Sequence, residues 1–285
     1  MNNLIKSTLI TLTVLLFVTT SLTGIAYNTK LDQKTCNLNK SFWKLSPDII
    51  IPDDFLTIKD GINNANERDI ILIRSGVYEE NDVIIDESIT LIGENAKYTI
   101  IKGNGSGTIL KVYADEVVVS NLTFTNSSTG IMLYNSSKNK ISKNIIVDCL
   151  VGIYLLKSVN QNIEFNSISE SSKGLYIEES NNNTVEKNLL IFNEQGVFIS
   201  YSNNNSITHN NFITNEENAK FNTWHSPEGI LRNKWNRNYW DDSYGFFPKL
   251  IPGIIYIPKT NHIGSMFFPW CDVLPAMNGG ASCGW

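Results

Sequence analysis

Not one arginine lies between residues 75 and 231. More than half of the 285-residue chain therefore lacks the planar, bidentate clamp that proteins use for carboxylates and phosphates. Cysteine is nearly as scarce: Cys36, Cys149, Cys271 and Cys283 are too few for a disulfide scaffold, so the framework must come from a hydrophobic core. Positive charge is outweighed, 23 Lys and Arg against 28 Asp and Glu, and a net charge of −5 argues against a nucleic-acid partner, which calls for a basic patch. At 42% hydrophobic residues the chain is too apolar for disorder.

Long apolar runs are also missing, with one exception. Residues 9–22 are apolar and Thr-rich, preceded by Lys6 and followed by the small residues Gly24 and Ala26. This is the pattern of a secretory signal, with cleavage expected after Ala26. An uncleaved anchor is the competing reading, and the run is short for a membrane span. The mature chain is therefore expected to be secreted, outside the cell or in a periplasm-like space, with no membrane span of its own. In an oxidising compartment Cys271 and Cys283, both in the Pro- and Gly-rich tail, are the expected disulfide pair.

What is abundant is repetition. SNNNTVEKN (180–188) and SNNNSITHN (202–210) are 22 residues apart. Gly130, Gly152, Gly174 and Gly196 keep the same interval, and so do Ser136, Ser158, Ser180 and Ser202. Asn144, Asn166, Asn188 and Asn210 form a third such column, among apolar columns such as Ile141, Ile163, Val185 and Ile207. A fixed period of this size identifies a stacked solenoid. Each copy holds three short apolar stretches separated by Ser, Asn and Gly turns, and nothing long enough for a helix. A leucine-rich repeat shares the period but needs a Leu-dominated pattern. The fold class is therefore all-β: a right-handed single-stranded parallel β-helix of about 22-residue coils. The Asn columns are expected at corners, where stacked amides hydrogen-bond from coil to coil and Asn tolerates left-handed backbone.

A solenoid needs covers at its ends. TIKDGINNAN (57–66) begins with a capping box, Thr57 and Asp60, and sets Ile58, Ile62 and Ala65 on one face, the pattern of a short capping helix. Five of the six Trp and six of the eight Pro lie in 222–285, the signature of an irregular C-terminal cap. The expected organisation is a signal over 1–26, a lead-in over 27–54, the β-helix over 55–222 with regular coils over 121–222, and the cap over 223–285.

The segments IIIPDDF-x-TIKDGINNA, DIILIRSGVYEENDVII, SITLIGEN and TIIKGNGSGT, followed by the 22-residue coils, resemble the NosD-type β-helix proteins, exported chains of PbH1/CASH repeats. The resemblance covers about residues 49–240, and NKWNRNYWDD (233–242) is similar to the ends of archaeal members. It implies the fold, and it implies either a copper-handling accessory role or the binding or cleavage of sugars. The region 57–93 also resembles the start of pectin methylesterases, but their catalytic signatures have no counterpart here. Polygalacturonase motifs are absent too, and the Arg-free middle cannot supply a pectate-lyase base. No catalytic residue is carried across.

Three constellations remain. Met132, Tyr154, Tyr176 and Phe198 fall one past the apolar residue that follows each Gly, with Tyr134 and Tyr201 nearby. On one sheet face they would form an aromatic ladder, either a platform for the apolar faces of sugar rings or a self-stabilising stack. Asp148 stacks on Glu170, Glu164 on Glu186, and Glu194 on Glu216, each 22 apart. Glu164 and Glu186 are the pair of choice for glycosidase chemistry, and the same acids are candidates for weak calcium binding. The plainer reading is solvated acids relieved by Lys143, Lys173 and Lys187. In the tail, His262, Met266, Cys271, Met277 and Cys283 are soft donors suited to copper(I), at spacings that match no compact motif. The favoured reading is a non-catalytic binding protein for polysaccharide, with copper handling and polysaccharide hydrolysis or lysis as alternatives.

Overall fold

A computed structural model describes residues 46–224, 233–242, 249–256, 265–267 and 270–272. The chain divides into two units, Met1–Ser46 and Pro47–Trp285, and the second is a parallel β-helix. Each coil contributes one strand to each of three ladders, and every strand pair along the coils is parallel.

The first ladder starts at Ile49–Ile51 and runs through Ile70–Ile73, Thr90–Gly93 and Val118–Ser120 to Lys140–Ser142, Asn162–Glu164, Thr184–Glu186 and Ser206–Thr208. The second runs from Gly76–Glu79 and Thr99–Lys102 to Ser167–Ser169, Leu189–Ile191 and Asn211–Ile213. The third includes Val83–Ile85, Thr108–Val112, Lys173–Glu178, Gln195–Ser200 and Glu217–Trp224. In two coils the second and third ladders are bridged by one continuous strand, Thr123–Tyr134 and Ile145–Leu156. The alternation of burial follows the pleat: Ile141, Ile163, Val185 and Ile207 are fully buried in register, as are Ile146, Ile168, Leu190 and Phe212.

The Gly column is set by crowding. A Cβ on Gly152 would lie 2.5 Å from the Gly174 carbonyl oxygen and 2.5 Å from Ile168 Cγ2, so the next coil leaves room only for hydrogen. The Asn column 144–166–188–210 is buried and fully bonded. Asn166 Nδ2 donates to Asn188 Oδ1 (3.0 Å) and to the Ile141 carbonyl (2.9 Å). Asn166 Oδ1 accepts from both Asn144 nitrogens. A second amide column, Gln161–Asn183–Asn205–Asn233, and the Ser158–Ser180–Ser202 column do the same work at the corner between the third and first ladders.

The expected left-handed backbone is present, but it is distributed differently. Asn160, Asn182 and Asn204 have φ near +57° (56°, 59° and 55°), as expected of Asn. At the corner between the first and second ladders the left-handed residue is instead the one before the Asn: Lys143, Phe165, Lys187 and His209. There the Asn must point inward to reach its neighbours, so its predecessor takes the turn.

At the N-terminal end the short helix Ile58–Asn63 covers the core with Ile58 and Ile62. Thr57 Oγ1 accepts from the Asp60 amide, and the Glu80 carboxylate accepts from the Ile58 and Lys59 amides. At the other end the ladders continue past residue 222. Lys234–Asn236 and Tyr239–Trp240 extend the first and second ladders, with a spacing of 28 rather than 22 residues. Trp235 and Trp240 are buried in register with Ile207 and Phe212, and Trp240 stacks on Phe212 at 4.2 Å. The lead-in likewise contains a coil strand, Ile49–Ile51. Parallel pairing then gives way to antiparallel pairing, Gly253–Tyr256 with Ser265–Phe267 and Lys249–Ile251 with Trp270–Asp272. Among the described residues no helix is long and apolar enough to cross a membrane; the expected signal lies outside them.

Candidate functional site

The aromatic column forms on the outer face of the third ladder, in the register Met132, Tyr154, Tyr176, Phe198, Lys220. Tyr154 and Tyr176 lie 4.8 Å apart, 1° from parallel, and Tyr176 and Phe198 lie 5.2 Å apart at 16°. Lys173 Nζ sits 5.4 Å from the Tyr176 ring centroid and 5.8 Å from that of Phe198. The Tyr154 hydroxyl donates to the Glu178 carboxylate. Burial, reinforced by the negative charge of Glu178, pushes the Tyr154 phenol well above its usual range and the Tyr176 phenol up to about 12. Because the rings lie face to face along the coil axis, their faces cover one another and their rims meet solvent. Tyr134 makes an edge contact with Tyr113 at 5.9 Å, and Tyr201 occupies the following corner with φ of 49°.

Glu164 and Glu186 are directly in register on the first ladder, as expected. Each has its own cation: Lys140 lies 2.6 Å from Glu164 and Lys187 lies 3.1 Å from Glu186. Of the lysines expected to relieve stacked acids, Lys187 does so, whereas Lys173 is turned over the aromatic column.

The remaining stacked acids share a groove of about 610 Å³ along the bend from the second to the third ladder. Its floor is a buried column of small residues, Ser127, Cys149, Ser171 and Asn193. The Cys149 thiol contacts Ser127 Oγ at 3.7 Å, and burial raises its pKa. The residues just before and just after the floor form the walls. Asp148, Glu170, Phe192 and Thr214 stand on one side, all with left-handed backbone that swings their side chains outward. Leu150, Ser172, Glu194 and Glu216 stand on the other. Four successive coil levels thus carry one carboxylate each, opposite Leu150 at the first of them and Phe192 at the third, while the level of Ser127 contributes Asn126 and no acid. Leu150 and Phe192 are 62% and 48% exposed, unusual for their type beside a concave, polar surface. The sequence pairs Asp148 with Glu170 and Glu194 with Glu216. It does not announce Leu150, Ser172, Phe192 or Thr214, whose only signal is that they flank a column of small residues at the same period.

Of the tail donors, Met266 and Cys271 fall on described strand backbones, in register with Ile255 and Leu250. Their side chains, and His262, Met277 and Cys283 altogether, lie outside the described residues, as does any Cys271–Cys283 bond.

Comparison with known proteins agrees with the fold. The ORF18 protein of Geobacillus virus E2 is similar with a TM-score of 0.56 and 14% identity, over 75% of this chain and 55% of the viral one. Pectin methylesterase PemA from Erwinia chrysanthemi gives 0.52 and 14%, over 79% of this chain and 86% of its own. The catalytic domain of a GH87 alpha-1,3-glucanase in complex with nigerose gives 0.55 and 12%, over 74% of this chain and 40% of its own. The chain thus spans only about half the length of the viral protein, and at such identities the likeness is one of fold alone. Among curated proteins nothing matches the chain.

The family described as periplasmic copper-binding protein (NosD) matches residues 45–245. That description makes copper the metal to test against the residues present. Among the described residues no group of three or more His, Cys, Asp and Glu side chains could hold a metal ion. The groove offers carboxylates, hydroxyls and one buried thiol without imidazole or thioether, a poor donor set for copper(I). The described residues therefore do not fit copper, and the family assignment rests on the coils themselves: with about two thirds of its length matched, the chain belongs to the NosD family.

Proposed function

We propose that this protein is a non-catalytic, extracytoplasmic glycan-binding β-helix that seats a polysaccharide along the groove between its second and third ladders. The observation that carries the proposal is the wall arrangement. One carboxylate at each of four successive coil levels offers paired acceptors to sugar hydroxyls, and Phe192 and Leu150 offer apolar surface to ring faces. Coils repeat about every 4.8 Å, close to the advance of one pyranose unit in an extended chain. The aromatic column is the weaker seat, since its ring faces are spent on one another. The family's periplasmic description and the apolar N-terminal run support a location beyond the cytoplasmic membrane. The neighbours with sugar-directed names lend support by analogy only.

The test is a glycan array with the secreted protein, followed by calorimetry on each hit. Phe192→Ala should weaken binding at least roughly tenfold, the loss of one stacked ring. A hit unaffected by Phe192→Ala but lost in a Tyr154→Ala, Tyr176→Ala variant would move the site to the aromatic column. Copper handling, the role in the family's description, is the second reading. It requires free tail thiols and uptake of copper(I) that Cys271→Ser removes; an array without hits together with such uptake would replace the glycan reading.

A further inference from the structure

We infer that the groove discriminates glycans by charge, favouring a polymer with one ammonium group per sugar, a hexosamine polymer with free amines, and rejecting polyuronates. This rests on the glycan-binding reading above and names the ligand class of the same groove.

Ion pairing elsewhere on the molecule is the first ground. Glu79, Asp82, Glu116, Glu164, Glu179, Glu186 and Glu217 each have a lysine within 4 Å. Among the described residues, Asp148, Glu170, Glu194 and Glu216 have no such ion pair, and no Lys, Arg or His lines the groove. These four are also stacked in two like-charge pairs, which is destabilising when nothing intervenes. The other stacked pair, Glu164 and Glu186, is neutralised by lysines, whereas these four face a concave, partly apolar space in which Glu194 accepts from the Ser172 hydroxyl.

Spacing is the second ground. Four successive coil levels present one carboxylate each, and a hexosamine polymer presents one amine for each pyranose unit, an advance close to the strand spacing of about 4.8 Å. A ligand lying along the axis can therefore meet one carboxylate at each of four successive levels, from one wall at the first two and from the opposite wall at the last two, with Phe192 and Leu150 against its ring faces. A polyuronate in the same seat would set carboxylate against carboxylate, a repulsion that specificity commonly exploits.

The test compares the secreted protein's affinity for chitosan oligomers, for fully N-acetylated oligomers of the same length, and for oligogalacturonate, at low and high salt. Chitosan should bind roughly tenfold or more tighter than the acetylated oligomer, with the gap closing at high salt, and oligogalacturonate should not bind. Glu170→Gln with Glu194→Gln should shrink the gap, while Glu67→Gln with Glu87→Gln, exposed acids outside the groove, should leave it intact and so exclude general stickiness of a polycation. Equal affinity for amine and acetamide, a gap that survives the groove substitutions, or binding of oligogalacturonate overturns the charge inference and leaves glycan binding standing. Failure of all three ligands, with an array that is also without hits, overturns the glycan reading and this inference with it.

Discussion

Tyr176 lies flat on Tyr154, 4.8 Å away and 1° from parallel, one coil above it in the parallel register. The β-helix forces this: residues 22 apart are set about one strand spacing apart, close to the contact distance of stacked rings. The stack is a structural device before it is a surface. Tyr176→Ala removes both of its ring contacts and should cost about 1–3 kcal/mol, at roughly 0.5–1.5 per pair. The urea midpoint measures this, and the affinity for any groove ligand should be unchanged. A variant with unaltered stability and lost binding would reverse that assignment.

The raised phenol pKa values fix a direction with pH. Tyr176 is held up to about 12 and Tyr154 is also raised, against about 10 in the unfolded chain. The unfolded state loses these protons first, so their contribution is intact below about pH 10 and declines as pH climbs through about 12. A Tyr154→Phe, Tyr176→Phe variant has nothing to lose there. Its midpoint should fall less steeply over that interval than the wild type's; parallel curves would mean the two phenols titrate normally.

Asn188 tests the amide column. It accepts from Asn166 N and Nδ2, and donates to Asn210 Oδ1 and the Ile163 carbonyl. Asn188→Ala strands these buried partners and should cost about 1–3 kcal/mol. Asn188→Asp keeps the acceptors, removes the donors and adds a buried charge, so at neutral pH it should be the worse of the two and should partly recover in acid. Equal denaturation midpoints for wild type and both variants would mean that water replaces the amide.

Gly152→Ala places a methyl 2.5 Å from the backbone oxygen of Gly174, which cannot retreat without moving a whole coil. Overpacking of this kind costs about 1–3 kcal/mol. The same substitution at Gly76, where the nearest atom is 3.4 Å away on the Tyr78 ring, should cost clearly less. Thermal melts of the two variants provide the comparison.

The coils were legible because inward and corner positions leave the chain no freedom. Only hydrogen fits at Gly152, only an amide serves both neighbours at Asn166, and so these types recur at every turn. Outward columns carry no such constraint. Asp148, Glu170, Phe192 and Thr214 occupy one structural position with three chemistries, and matching by residue type pairs the two acids but cannot see all four as a set. The groove depends on where each coil bends, and that appears only when flanking residues are placed in space. The final coil escaped for a related reason: six extra residues between Ser206 and Lys234 break the period, so Trp235 and Trp240 read as tail rather than as core. The strand Gly76–Glu79 has no fully buried residue and left no apolar signature.

Phe192 combines strain with exposure, and that combination can be measured. A bulky residue at φ of 57° is uncommon, because its Cβ crowds the backbone, at a cost of about 1–2 kcal/mol that Asn largely avoids. Almost half of its surface faces solvent, so little packing is gained in return. Phe165 has the same backbone, φ of 55°, but Lys187 lies 5.1 Å from its ring centroid, outside the groove. Phe192→Asn should therefore raise the urea midpoint, by roughly 1 kcal/mol of stability, while weakening the groove's ligand. Phe165→Asn should relieve the same backbone strain, forfeit the lysine contact, and leave ligand affinity unchanged. If Phe192→Asn gains stability and loses no affinity, the ring is not a binding element and the groove must act through its carboxylates alone. If it loses stability instead, Phe192 makes packing contacts that its exposure does not reveal, and these outweigh the cost of its left-handed backbone.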